Sequence, residues 1–105
     1  MNQLTRGPAK SIFPSRTEQL VSRARRATQR GERRQALVAL REAALLAESD
    51  AKLWALYGAA CARSNRVGEA ERAFGQALFL RQRAHDNGRA NALRSVIARL
   101  LQRAA

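Results

Sequence analysis

Apolar residues recur at intervals of three and four positions along most of the chain, which is the spacing of an amphipathic helix. The clearest stripe lies near the C-terminal end, at Leu93, Val96, Ile97 and Leu100. Ser15 and Glu18 have the spacing of a capping box, and Asp50 precedes a second apolar run. Asp86 or Asn87 precedes the last run. These signals predict five helices, at about residues 16–30, 33–48, 51–64, 67–84 and 89–103.

The chain also aligns with itself when it is shifted by 34 residues, a period typical of helical repeats. The shift aligns residues of similar size and polarity: Leu20 with Trp54, Ala24 with Gly58, Ala27 with Cys61, Ala36 with Ala70, Leu40 with Phe74, and Ala43 with Ala77. Gly31 aligns with Asn65, and both residues tolerate the left-handed backbone that ends many helices. The period therefore predicts two helix-turn-helix units, residues 17–50 and 51–84.

The aligned positions have the sizes that a packed pair of helices needs. Two helices approach closely only where small side chains face each other, and larger ones fill the space beside them. The predicted repeat core combines both kinds of residue: Leu20, Ala24, Leu40, Trp54, Tyr57, Gly58, Ala70, Phe74 and Ala77.

This spacing resembles the tetratricopeptide repeat family, through Trp54, Gly58, Ala70, Phe74 and Ala77 and their partners in the first unit. The resemblance covers roughly residues 17–84 and implies a short right-handed α-solenoid of antiparallel helix pairs. Arg23 stands where the second unit has Tyr57. The proline that commonly closes a unit of the family is replaced by Glu48 and Gln82.

The two ends of the chain lie outside the repeat. A further shift of 34 would put polar residues in core positions, so the last apolar stripe comes five residues later than the period requires. We therefore expect the preceding helix or turn to be about five residues longer, and the segment 89–103 to form a helix that caps the second unit. Residues 1–15 are predicted to be a flexible tail. Its Ile12 and Phe13 could pack on the first helix or on a second subunit.

Composition supports one small all-α domain (residues 16–105) and adds a strong charge. Of the 105 residues, 46% are apolar and only 5% aromatic, and Ala, Leu and Arg dominate over β-branched residues. The formal net charge is +12, from 20 basic and 8 acidic residues. Such an excess favours anionic partners, although biased composition with solvated helix faces would produce the same count.

The usual catalytic and metal-binding patterns are missing from the sequence. His85 is the only histidine and Cys61 the only cysteine, so we interpret the first as a surface turn residue and the second as an inert buried thiol. We expect no enzyme activity and no cofactor. The single cysteine and the lack of a signal peptide or a long apolar run favour a cytoplasmic protein without a membrane span.

The family resemblance also implies a binding surface, because the first helix of each unit lines a concave groove that holds a partner segment. Carried over position by position, the groove comprises Val21, Arg25, Thr28 and Gln29, then Lys52, Ala55, Leu56, Ala59 and Arg63, and Arg94 and Ala98 from the last helix. Its apolar floor and four cations favour an acidic segment that also carries small apolar residues. Val21, Arg25 and Leu56 occupy positions where some family members clamp a C-terminal carboxylate, so that specificity is not expected.

Three functional hypotheses stay open at this point. The first is a scaffold or adaptor that binds another protein through this basic groove. The second is a subunit that completes its solenoid by forming a homodimer or joining a larger assembly. The third is a helical repeat protein that binds RNA or other nucleic acid, which the charge favours but the lack of stacking aromatics disfavours.

Overall fold

The computed structural model describes residues 12–105, so most of the predicted tail, residues 1–11, lies outside the described part. Within it the protein is all-helical and has no strands. The helices are α1 (Arg16–Gln29), α2 (Arg33–Leu46), α3 (Ala51–Arg63), α4 (Val67–Arg83) and α5 (Asn87–Ala104). All five predicted helices are confirmed, and each observed end lies within two residues of its predicted position.

The predicted start signals form the expected hydrogen bonds. The Ser15 hydroxyl accepts from the Glu18 amide at 3.1 Å, and the Glu18 carboxylate accepts from the Ser15 amide at 2.8 Å. Asp50 accepts from two amides in the first turn of α3. Of the two candidates for the start of α5, Asp86 provides the cap, by accepting from the Arg89 amide at 3.2 Å. Each cap satisfies backbone donors that the helix itself leaves unpaired.

Three of the four turns between helices share one geometry. Gly31 and Asn65 have φ values of +76° and +61°, which confirms the predicted left-handed positions, and His85 adopts +57° at the equivalent place after α4. In each turn the next amide donates to the carbonyl five residues earlier, joining Glu32 to Ala27 at 2.8 Å, Arg66 to Cys61 at 2.8 Å and Asp86 to Arg81 at 2.9 Å. This is the Schellman arrangement that ends a helix and turns the chain sharply.

The core is built mainly from small residues, because more than half of its buried apolar side chains are alanine. Gly58 shows why the helices need them. A Cβ atom at this position would lie 2.9 Å from Cδ1 of Phe74, closer than real contacts allow. The Phe74 ring of α4 therefore lies directly against the α3 backbone, as the repeat pattern predicts for a large residue facing a small one.

Of the nine residues predicted for the repeat core, eight are buried: Leu20, Ala24, Leu40, Tyr57, Gly58, Ala70, Phe74 and Ala77. Trp54 is the exception, since it is only half-buried and packs against the edge of the core. Its indole N–H donates to the carbonyl of Glu48 at 2.9 Å, in the loop before α3. A partly buried indole N–H needs a hydrogen-bond acceptor, and the acceptor here is a loop carbonyl. The ring therefore lies at the end of the core, next to the loop.

Each helix packs mainly on its neighbours in the chain, α1 on α2, α2 on α3, α3 on α4 and α4 on α5. Helix α4 has 17 residues where α2 has 14, which accounts for part of the predicted displacement of the last helix. In α5, Leu93 and Leu100 are buried, while Val96 and Ile97 of the same stripe are half-buried. At the other end, Ile12 is 88% exposed and Phe13 72% exposed, so neither is buried on α1.

Candidate functional site

A hollow with a volume of about 250 Å³ lies between α1 and α3, and we name it the α1/α3 hollow. Its lining residues are Val21, Ala24, Arg25, Thr28, Gln29, Leu40, Leu56, Ala59 and Arg63. The floor is apolar, because Ala24 and Leu40 belong to the core and Val21 and Ala59 are half-buried against it. Leu56 is 36% exposed, so the hollow offers apolar surface to a ligand.

Most of the predicted groove meets in this hollow. Six of the eight principal positions line it, namely Val21, Arg25, Gln29, Leu56, Ala59 and Arg63, and so does Thr28. Lys52 and Arg94 do not. Lys52 is exposed in the first turn of α3, at the other end of the helix from Arg63. The side chains brought together thus come from the C-terminal half of α1 and the middle and end of α3.

The charge of the α1/α3 hollow has one sign. Arg25 and Arg63 are exposed at its rim, and no carboxylate is among its lining residues. Within residues 12–105, neither arginine forms an ion pair. The end of α3 is held in place by Arg33, whose guanidinium donates to the Arg63 carbonyl at 3.3 Å. The two cations are therefore positioned by the helices and left without a counter-charge in the described part of the chain.

A second hollow, of about 480 Å³, lies between α3 and α5 and shares Ala59 with the first. We name it the α3/α5 hollow, and its lining residues are Ala59, Ala62, Phe74, Val96, Arg99, Leu100, Gln102 and Arg103. Arg94 and Ala98, which the family resemblance predicts to face the groove, are not among these residues. Arg94 instead donates to the Asn91 side chain at 2.6 Å on the exposed surface.

The face of α5 that lines this hollow is the one that carries Val96. Val96, which the sequence pattern assigns to the core, is half-buried and lies at the edge of the α3/α5 hollow. Arg99 and Arg103 follow it at i+3 and i+7, so they lie on the same face of the helix. Like the first pair of arginines, they form no ion pair within the described residues.

A third hollow, which the sequence analysis missed, lies between α2, α3 and α4 and has a volume of about 590 Å³. We name it the α2/α4 hollow, and its lining residues are Arg41, Leu45, Glu48, Trp54, Tyr57, Glu69, Arg72, Ala73 and Gln76. Two cations and two carboxylates are among these residues. The sequence signal that could have revealed it is the alternation of charge at intervals of three, from Arg66 just before α4 to Glu69 and Arg72 within it.

Hydrogen bonds hold one carboxylate of the α2/α4 hollow, that of Glu69. The Tyr57 hydroxyl donates to one oxygen of Glu69 at 3.1 Å, and Arg66 donates to the other at 3.0 Å. The Arg66 bond, followed by that from Tyr57, lowers the pKa of Glu69. Burial, with hydrogen bonds to Cys61 and Glu69, raises the pKa of Tyr57 to about 12. At neutral pH the hollow therefore contains a neutral phenol and an ionised, paired carboxylate.

The candidate chemical groups elsewhere do not converge on a reactive site. Cys61 is fully buried, and burial raises the pKa of its thiol, which disfavours the nucleophilic thiolate. His85 is exposed in the turn after α4. In residues 12–105, no three His, Cys, Asp or Glu side chains lie close enough together to hold a metal ion. None of the described helices combines the length and apolar character that crossing a bilayer requires.

Comparison of the chain with protein-family models, with curated proteins and with solved structures finds no match.

Proposed function

We propose that the protein is a non-catalytic adaptor that binds an acidic, partly apolar segment of another protein in the α1/α3 hollow. The observation that carries the proposal is the composition of that hollow. Its apolar floor includes exposed surface of Leu56, its rim holds Arg25 and Arg63, and no carboxylate lines it. A carboxylate of a partner would supply the counter-charge that the described part of the chain leaves out.

The architecture that we infer for this adaptor is a short right-handed α-solenoid of antiparallel helix pairs, similar to tetratricopeptide repeats. Sequential packing of the helices supports it, as does the recurrence of the same turn at Gly31 and Asn65, 34 residues apart. In such an array the first helices of successive pairs share one face. The lining of one hollow by α1 and α3 agrees with that arrangement.

An acidic segment with an apolar residue fits the hollow better than a purely acidic one. Hydrogen bonds between a guanidinium and a carboxylate contribute about 1.5–3 kcal/mol each where the groups are desolvated. Exposed ion pairs contribute less, about 0–1 kcal/mol, so charge alone gives weak binding. An apolar side chain seated on Leu56 and Ala59 would exclude water beside Arg25 and Arg63 and strengthen both bonds.

A protein segment is favoured over nucleic acid by the positions of the aromatic rings. Binding of single strands usually combines cations with aromatic rings on which bases stack. Trp54 and Tyr57 line the α2/α4 hollow, and Phe74 is buried. No aromatic residue lines the α1/α3 hollow. A second copy of the chain is disfavoured by charge, because each copy has a net charge of +12.

The test is calorimetric titration with a capped peptide that carries Asp-Asp-Leu in a Gly-Ser frame. We expect the double variant R25E/R63E to weaken binding at least tenfold, because two attractions become repulsions. The matched control is R41E/R72E, which makes the same change of charge at the α2/α4 hollow and should alter affinity by less than about twofold. Far-ultraviolet circular dichroism of each variant checks that the fold is retained.

Three results would overturn the proposal. The wild-type protein could fail to bind the peptide at low salt. The control variant could weaken binding as much as R25E/R63E, in which case net charge and not the hollow attracts the peptide. A uridine decamer could bind more tightly than the peptide and lose its binding in R25E/R63E, which would identify the hollow as a nucleic-acid site.

A further inference from the structure

The α1/α3 and α3/α5 hollows lie on the two sides of α3 and meet at Ala59, which lines both. A methyl side chain at this position leaves no ridge between them. The apolar floor continues from Leu56 through Ala59 to Val96. A segment bound in the first hollow can therefore extend into the second without leaving apolar surface.

The α3/α5 hollow repeats the chemistry of the first hollow with different residues. Phe74 and Leu100 form its floor and are buried, while Arg99 and Arg103 are exposed beside it. Its lining contains no carboxylate. The family resemblance did not predict this pair, because it placed Arg94 in the groove. The arrangement rests on the α5 residues that line this hollow.

The distance between the hollows restricts the ligand that can use both. They flank one helix, so their centres are separated by about one helix diameter, ~10 Å. An extended chain advances about 3.3 Å per residue, so ~10 Å corresponds to three residues. Two acidic clusters whose centres are three residues apart would each lie beside one pair of arginines, with the residue between them over Ala59.

We infer that the α3/α5 hollow is a second acidic subsite, and that the partner is an extended segment with two acidic clusters, three residues apart, on either side of a small or apolar residue. The inference rests on the proposed function, since it extends the same groove. Charge complementarity identifies the occupant: four arginines and no carboxylates line the two hollows. Joining two weak sites in one ligand raises affinity, because binding at the second becomes intramolecular.

The experiment compares three capped peptides in a Gly-Ser frame by calorimetric titration. The first carries Asp-Asp-Leu, the second Asp-Asp-Leu-Asp-Asp, and the third the same residues as Asp-Asp-Asp-Asp-Leu. We expect the second peptide to bind wild-type protein about tenfold more tightly than the first, and several-fold more tightly than the third. In R99E/R103E the second peptide should bind no better than the first, while the first should lose at most about twofold. R41E/R72E again serves as the charge-matched control.

The outcomes separate this inference from the proposed function. If the second peptide gains nothing over the first, or keeps its advantage in R99E/R103E, the second subsite is wrong. The proposed function would still stand in that case, provided that R25E/R63E weakens the first peptide. If wild-type protein binds none of the peptides, both are wrong. If the third peptide binds as tightly as the second, total charge and not the spacing of the hollows determines affinity, and the inference is also wrong.

Discussion

The α1/α3 hollow and the α2/α4 hollow are built from the same materials and differ in their charge balance. Both have floors that belong to the core and rims that carry two arginines. In the α2/α4 hollow the two arginines share the lining with Glu48 and Glu69, although neither arginine forms an ion pair in the described part of the chain. Glu69 is held by Tyr57 and Arg66. In the α1/α3 hollow the arginines face no carboxylate.

The difference shows where carboxylates of the chain lie beside its arginines and where they do not. Charges that are paired within the chain contribute to its own stability, although exposed pairs contribute little. Unpaired cations on one face repel one another and attract anions from solution. A surface that carries charges of both signs attracts a charged partner less strongly. The comparison therefore favours the α1/α3 side as the binding face.

The largest effect that we expect comes from disrupting the floor of the proposed binding face. Phe74 lines the α3/α5 hollow and packs against the backbone at Gly58. Its replacement by alanine removes a buried ring and leaves a cavity, which typically costs about 3–5 kcal/mol. Urea denaturation of F74A, followed by circular dichroism, should show that loss.

Phe79 on the same helix is the matched control. It is 49% exposed, and its ring lies 5.6 Å from the guanidinium carbon of Arg83. We expect F79A to change the free energy of unfolding by no more than about 0.5–1 kcal/mol, because an exposed ring leaves no cavity and an exposed cation–π contact is weak. Equal losses in the two variants would contradict the assignment of Phe74 to the floor.

An intermediate effect should distinguish the two hollows by their response to acid. Y57F removes the hydrogen bond from the Tyr57 hydroxyl to Glu69, which costs about 1 kcal/mol at neutral pH. The pKa of Glu69 is lowered in the folded protein, so its contribution is complete above its unfolded pKa and disappears as the pH falls through the folded value. The cost of Y57F should therefore shrink below about pH 4.

T28V is the corresponding change in the α1/α3 hollow. The Thr28 hydroxyl donates to the Ala24 carbonyl at 2.9 Å, and no carboxylate lines this hollow. The cost of T28V should therefore stay constant across the same pH range. The measurement is the urea midpoint of each variant minus that of wild type, at neutral and at acidic pH. The other carboxylates titrate in both proteins, so their effect on stability cancels in this difference. An acid-sensitive T28V, or an acid-insensitive Y57F, would contradict the difference between the hollows.

Much of the fold was predictable because local signals and the repeat agree. The Ser15 and Asp50 caps and the left-handed positions Gly31 and Asn65 mark helix ends through interactions with nearby residues. The α1/α3 hollow was also largely predictable. Arg25 and Ala59, like Gln29 and Arg63, are 34 residues apart and occupy the same place on α1 and α3. The family resemblance implied that these four residues, with Val21 and Leu56, lie in one groove, and all six line the hollow.

The rest depends on tertiary contacts that the period does not contain. Which face of α5 lines the α3/α5 hollow depends on the packing of α5 on α4, so Arg99 and Arg103 could not be chosen over Arg94 without the structure. Trp54 is half-buried because its indole N–H reaches a loop carbonyl six residues earlier in the chain. The α2/α4 hollow lies between three helices, and its charged residues are outside the repeat core. The repeat pattern therefore does not predict which of them interact.

The smallest effect that we expect is also the most direct test of the comparison: one charge reversal in each hollow, measured as stability in the absence of any partner. R25E places a carboxylate opposite Arg63, among unpaired cations, and should leave the melting temperature unchanged or slightly higher. R72E removes a cation from the hollow that contains Glu69 and should lower it slightly. Each change in free energy should lie within about 0.5 kcal/mol, as expected for surface substitutions.

Thermal melts at low and high salt would check the electrostatic origin of these changes, since added salt should reduce both differences. If R25E destabilised the protein as much as R72E, Arg25 would have a structural role, and the unbalanced charge would no longer be an argument for binding.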